Sequence, residues 1–286
     1  MFFAKRNFVS SILAFAFLIG CTQPISEDSS QQLDNVTRFA ASALGAPANV
    51  QRTALSQASE YQRLCRYLSG AETQLGPVES RVEISSLALA QEQTGELLLA
   101  YLEALEDASR GESITELTQA RQGFVVSVGE FEAAARGSAE ISPVVDALGN
   151  LIFRAGESQR QARIRGIMYE TTDTLEILSA LVERDVAEAI QDSEAAMVVW
   201  DRSAGCILSA MRTRPGAIDL YERLDAQRRE FATQIVIIKR GPATLNSLVD
   251  AHLLAGEETA TFEQVLQQVT SVAEETNTLV EAVEGL

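Results

Sequence analysis

Apolar residues in this chain recur at steps of three and four, and no stretch alternates apolar with polar positions between turn residues. That spacing lines up one face of a helix, so the pattern predicts helices and no strand. Helices are expected over 33–44 and 50–68, separated at Gly45-Ala46-Pro47 and closed by Ser69-Gly70. A long helix follows from about Glu79 to Ala108, its stripe being Ile84, Leu87, Gln91, Thr94, Leu98, Tyr101, Leu105 and Ala108. Ser113 and Glu116 form a capping box. The helix they open carries Leu117, Phe124, Val128 and Phe131 and ends at Gly137. Ser142-Pro143, a cap followed by proline at the first helical position, starts another.

Breakers are few from there to Met211. Ile164, Ile167, Thr171, Leu175, Leu178, Val182, Val186, Ile190, Met197, Trp200 and Ile207 keep one face apolar. An unbroken run from Glu157 to Met211 has 55 residues and a length of about 80 Å, with Arg184 and Gly205 as the places for a kink or break. After the turn at Arg214-Pro215-Gly216, the seam Ile218, Tyr221, Leu224, Arg228, Phe231, Ile235, Ile238 predicts a helix over Ala217 to Lys239, stopped by Gly241-Pro242. A shorter helix runs from Pro242 to Leu254. Thr261 and Gln264 cap a last one bearing Phe262, Val265, Val269, Val272, Thr276, Leu279 and Val283.

Steps that alternate three and four make the seam of helices packed near antiparallel. The expected fold is therefore all-α: an antiparallel multi-helix bundle of about seven to nine helices around a long central one. It occupies 33–286 as one unit or as two sub-bundles dividing near 137–143. No repeat of fixed length points to a solenoid.

The start of the chain follows another pattern. Lys5 and Arg6 precede an apolar run from Phe8 to Ile19, which is shorter than the roughly 20 residues a membrane-spanning helix needs. The run ends in Leu18-Ile19-Gly20-Cys21, a branched residue, a second aliphatic, a small residue and a cysteine. This resembles the lipobox of bacterial lipoproteins. The resemblance implies a signal peptide over 1–20, cleavage before Cys21, and acyl chains on the Cys21 sulfur and its new amino group. Two or more chains anchor a protein where a single one binds only marginally. Thr22, which is not Asp, implies the outer membrane facing the periplasm over the inner one. Residues 21–32 then read as the lipidated Cys and a flexible polar tether, because Thr22 to Gln32 hold one isolated Ile among polar residues.

The chain has 40 acidic and 23 basic residues; loss of Lys5 and Arg6 leaves 21 bases and a net charge of −19. Such a body repels nucleic acid, which is not an expected partner. From Gly241 to Leu286 there is no Lys or Arg, and eight Asp and Glu residues stand there. That stretch is either a solvated face or a docking surface for a basic partner. With Cys21 committed to lipid, Cys65 and Cys206 remain, an even pair in a compartment that permits disulfides. Each lies on an apolar helical stripe. They either meet across a helix interface, closing a loop of about 140 residues, or are two small buried hydrophobes that never touch.

Candidate chemistry is sparse. His252 is the only histidine, so triads, Cys-His pairs and two-histidine metal sites lack their residues. With Leu248, Val249 and Leu253 beside it, His252 reads as a partly buried packing residue. No phosphate-binding glycine loop occurs, and neither a metal nor another cofactor is expected. Arg154, Arg160, Arg163 and Arg165 form a basic band on an acidic chain. It is either an anion-binding surface or a helix face paired with its own glutamates. The surrounding stretch, Gly156 to Thr171, resembles the Glu-Ser start of lytic transglycosylases, with Glu157 as the candidate acid and base. It departs from them at Gly166-Ile167-Met168-Tyr169, which lacks their Gln and lies too close to Glu157.

The expected function is a non-enzymatic, lipid-anchored envelope protein, held to the membrane by Cys21, whose helical body binds or scaffolds an envelope protein or a second copy of itself. The alternatives are a carboxylate-based peptidoglycan-active enzyme and a periplasmic small-ligand binding protein with a cavity among its helices.

Overall fold

The computed structural model describes residues 27–71, 83–136 and 157–257 together with Gln264, with only the course of the backbone for 27–38 and 157–159. Every regular element among these residues is a helix: α1 (Glu27–Leu68), α2 (Ser86–Arg110), α3 (Ile114–Ala135), α4 (Glu157–Met211) and α5 (Ala217–Ala255). The all-α expectation holds with five helices among the described residues. The helix expected from Ser142-Pro143, the division near 137–143 and the last helix over 262–283 lie outside them, Gln264 apart.

Two expected breaks are absent. Helix α1 runs through Gly45-Ala46-Pro47, and α5 runs through Gly241-Pro242. A proline inside a helix removes one hydrogen bond and crowds the preceding turn, a cost of about 3 kcal/mol. Packing outweighs that cost here. Phe39, Ala43, Ala46, Ala48 and Val50 are buried on both sides of Pro47, as are Ile235, Ile237, Ile238, Leu245 and Leu248 around Pro242. Gly241 is itself a contact point, since a Cβ there would lie 3.3 Å from the Ala43 Cβ.

The helix starts differ as well. Helix α1 begins at Glu27, inside the 21–32 segment expected to be a tether. Extending an existing helix avoids the cost of nucleating one. Helix α2 begins at Ser86 rather than Glu79, because Ser85 caps it: its hydroxyl accepts the Ala88 N–H at 3.2 Å. At α3 the Ser113 hydroxyl accepts the Glu116 N–H at 3.4 Å, half of the expected capping box. Helix α4 is continuous over 55 residues, with no interruption at Arg184 or Gly205.

Cross-helix contacts fix the directions. Trp200 Nε1 donates to Gln57 Oε1 at 2.8 Å, Gln62 Nε2 donates to Ser203 Oγ at 3.1 Å, and Cys65 meets Cys206, so α1 runs parallel to α4. Helix α5 runs antiparallel to both, through Ser179 with Asn246, Asp201 with Arg228 and Gln57 with Gln227. Helices α1 and α2 are antiparallel, as are α2 and α3. Arg121 meets Thr171 while Glu132 acts electrostatically on Arg184, which sets α3 parallel to α4. The antiparallel expectation thus fails for the α1–α4 and α3–α4 pairs. Residues 137–156 separate α3 from α4, and a link of that length does not impose the hairpin geometry that a short loop would.

One end of the molecule draws on all five helices and packs Leu98, Tyr101, Phe124, Phe131, Met168, Leu175 and Leu245. The middle holds Phe39, Ala43, Ala189, Ile235 and Ile238. The other end, among the described residues, is built by α1, α4 and α5, where Trp200 and Phe231 meet edge to face at 5.3 Å beside Val50, Ala54 and Ala58. Helix α1 lies against α2, α4 and α5 at once. Six of its buried positions are accordingly alanine, Ala40, Ala43, Ala46, Ala48, Ala54 and Ala58, which let neighbouring helices approach.

Two helices meet closely at Gly95 of α2, where a Cβ would stand 2.9 Å from both the Ala41 carbonyl oxygen and the Leu44 Cβ. Gly95→Ala is expected to destabilise the protein by about 1–3 kcal/mol, since backbone must move to admit the methyl. Gly205→Ala, in the same helical conformation with nothing within 4 Å, should stabilise it by about 0.5–1 kcal/mol. Urea titrations of both variants check the pair, and shifts of the same sign would refute the close contact.

Candidate functional site

The arginine band on α4 resolves into two helix-end clamps. Arg160 donates to the Ala108 carbonyl from Nε at 3.1 Å and from Nη2 at 2.7 Å, and Nη2 also reaches the Glu112 carbonyl. Arg165 Nε donates to the Ala255 carbonyl at 2.9 Å, and its Nη2 to that of Glu257. Ala108 and Ala255 lie in the last turns of α2 and α5, where carbonyls without helical partners carry the negative end of the dipole. A guanidinium fork is well suited to close such an end. These two arginines are therefore engaged with their own fold, through carbonyls in place of the glutamates expected as their partners. Arg163 is half-buried and makes no hydrogen bond or ion pair among the described residues. Arg154 and the Glu157 side chain lie outside them, as does Cys21.

Removing one clamp has a defined effect. Arg165→Gln is expected to cost about 1–3 kcal/mol through the abandoned carbonyls and to speed amide exchange over Asp250–Glu257. Unchanged exchange there would contradict the clamp.

Cys65 and Cys206 are brought together, with sulfurs 1.89 Å apart and Cα atoms 5.9 Å apart. Cys65 is buried, as its stripe predicts, whereas Cys206 is exposed on the rim of the α1–α4 contact.

His252 is more deeply buried than the sequence suggests, at 1% exposure. Its Nδ1 lies 2.8 Å from the Leu248 carbonyl and its Nε2 2.9 Å from the Tyr101 hydroxyl. A carbonyl only accepts, so Nδ1 carries the proton and Nε2 accepts from Tyr101. Burial pushes the His252 imidazole down to about 4 and the Tyr101 phenol up. The neutral ring is thus locked between two partners inside the five-helix end. Nearby, the buried Arg121 donates from Nε to Thr171 Oγ1 at 3.1 Å and from Nη2 to the Glu170 carbonyl at 3.0 Å. Each of these polar groups has hydrogen-bond partners within the fold.

One surface groove of about 470 Å³ lies between α1, α4 and the approach to α2, lined by Gln51, Leu55, Glu83, Ile84, Asp192 and Val199. Gln51 Oε1 accepts the Ser85 N–H at 3.1 Å, so its polar floor also supports the fold. Among the described residues, no group of three His, Cys, Asp or Glu side chains is placed to hold a metal ion. No helix there is long and apolar enough to cross a membrane.

The α5 seam departs from expectation at its start. Leu220, Leu224 and Phe231 are buried, whereas Ile218 and Tyr221 are 73% and 59% exposed. At this end, among the described residues, only α1 and α4 flank α5, which leaves a narrower face to cover. Arg228, placed on the seam by the sequence, instead donates to Asp201 at 2.7 Å on the surface.

No family model matches this chain, and neither a curated protein nor a solved structure matches it.

Proposed function

We propose that this protein is a lipid-anchored component of a bacterial cell envelope. Cys21 is its acylated residue, the outer membrane facing the periplasm is its site, and its helical body is a non-enzymatic binding or scaffold module for another envelope component. In this reading the whole chain forms a multi-helix bundle of seven to nine helices, with α4 as its central member. The observation that carries it is the join between lipobox and body: α1 starts at Glu27, a few residues past Cys21, and leads away over 42 residues, about 60 Å. A short link then couples the lipid to a long rigid element. The meeting of Cys65 and Cys206 supports an oxidising compartment. The engagement of Arg160, Arg165, Tyr101 and His252 with the fold supports a body that presents surfaces in place of chemistry.

Metabolic labelling with an alkynyl fatty acid tests the anchor. The wild-type chain is expected to take the label and float with membranes, and Cys21→Ala to do neither. Crosslinking in cells then identifies what the body holds. A wild-type chain that remains unlabelled overturns the reading.

A further inference from the structure

At the three-helix end, α1 finishes at Leu68, α4 finishes at Met211 and α5 begins at Ala217. Arg214 Nη2 donates to the Leu68 carbonyl at 3.3 Å and ties the α4–α5 turn to the end of α1. Three large apolar side chains stand exposed here: Ile218, Tyr221 and Tyr67. Around them, residues 63–71 and 205–223 contain five arginines, Arg63, Arg66, Arg212, Arg214 and Arg223, against two acids, Asp219 and Glu222. The chain as a whole carries −17. At the opposite end, where Arg165 holds the Ala255 carbonyl, residues 100–116, 160–176 and 250–257 contain ten acids against four arginines. Charge is therefore polarised along the long axis.

We propose that this end docks on an anionic phospholipid surface. It is a tip made of helix ends and a tight turn, which suits a deformable plane better than a strand or peptide that needs a groove. The groove between α1, α4 and the approach to α2 lies elsewhere and is flanked by Glu83 and Asp192, the wrong charge for an anion. Tyrosines belong at the water–lipid interface, with the ring among acyl carbons and the hydroxyl among headgroups. Each arginine near an acidic headgroup strengthens attachment about five-fold. End-on docking presents two carboxylates, Asp219 and Glu222, with the five arginines, whereas side-on docking would bring the carboxylates along the body within the screening length of about 8 Å. Taken with the anchor at Cys21, on which this last step alone rests, the tip stands far enough out to bridge two membranes.

The test uses the full chain with Tyr221→Trp as reporter; the native Trp200 is buried and supplies a constant background. Purified protein is first reconstituted with phosphatidylcholine vesicles, and flotation reads the anchor. Acceptor vesicles with brominated acyl chains are then added, made of phosphatidylcholine alone or with 30% phosphatidylglycerol. Should the chain fail to float, the anchor reading fails, and the same protein is added directly to the acceptors so that the tip is still measured. The expected result is quenching by the phosphatidylglycerol vesicles and none by phosphatidylcholine. Adding Arg212→Gln and Arg223→Gln, both exposed positions, should raise the lipid concentration needed for half-quenching by about 25-fold with an unchanged thermal melt. Quenching that is absent, indifferent to phosphatidylglycerol, or unaltered by the two arginine substitutions overturns the proposal.

Discussion

Loss of the link between Cys65 and Cys206 is expected to lower stability by about 3–5 kcal/mol. The pair joins positions 141 residues apart, and a covalent tie of that span removes many conformations from the unfolded chain. The loop-entropy account gives about 5 kcal/mol for such a span, and strain or residual structure reduces what is realised. The location adds a local consequence. Among the described residues α1 is held at this end by α4 and α5, through Ala54, Ala58, Leu64 and Leu68, the Tyr61 ring near Trp200, and hydrogen bonds of Gln57 and Gln62 with Trp200 and Ser203. The last turns of α1, from Tyr61 to Leu68, should then fray first. Urea titration of the wild type with and without reductant, beside a Cys65→Ser, Cys206→Ser double variant, measures the effect. Reduced wild type and double variant should coincide, both well below the oxidised protein. If reductant leaves the wild-type midpoint unmoved, the staple contributes nothing. Limited proteolysis locates the loosening, with new cleavage expected near Arg63 and Arg66.

How far the pattern of apolar residues reaches is visible in particular helices. On α2 the stripe from Gln91 to Ala108 is buried position for position, including the polar Gln91 and Thr94, because a long helix flanked on several sides leaves no ambiguity about its inward face. On α4 the same holds at Ile164, Ile167, Thr171, Leu175, Leu178 and Trp200. The reading goes astray where local chemistry and tertiary packing conflict. Gly45-Ala46-Pro47 and Gly241-Pro242 carry the local signature of a stop, yet small residues there bring α1 and α5 into contact. A rule built on isolated helices cannot register a neighbour some 200 residues away in sequence. The start of α1 fails for a related reason: residues 27–32 lack apolar content, and a helix can still extend through them once the body beyond is packed.

The candidate sites divide along the same line. The meeting of Cys65 with Cys206 was legible as an option because both lie on apolar stripes, although their pairing in space was not. The four arginines are legible as a cluster in the sequence, but their partners are carbonyls, which every residue has and no composition reveals. Arg160 at Ala108 and Arg165 at Ala255 became identifiable only once α2 and α5 were seen to end against α4. The exposed Ile218 and Tyr221 fit the seam period and were assigned inward. Only the number of helices at that end shows that they face out.

Acid should destabilise this protein through His252 before it reaches the ordinary carboxylate range. In the unfolded chain the imidazole titrates near 6.5, whereas in the fold burial lowers it to about 4. The folded state thus prefers the neutral ring. Its contribution is intact above pH 6.5, declines as the unfolded state takes up a proton that the folded state refuses, and is fully lost once pH falls below about 4. Linkage gives a loss of about 2 kcal/mol by pH 5 and about 3 kcal/mol in total. The geometry explains why the fold does not accept the proton. Burial strips an imidazolium of its water, and because Nε2 already receives the Tyr101 hydroxyl and Nδ1 donates to Leu248, a second ring proton would force the Tyr101 hydroxyl to give up its donation. Urea titrations of wild type and His252→Gln at pH 7.5 and pH 5 isolate this residue, since the carboxylates contribute equally to both chains. The wild type should lose about 2 kcal/mol more than the variant across that interval. Equal losses would mean that the ring is protonated inside the fold and that the Tyr101 hydroxyl has turned away from it.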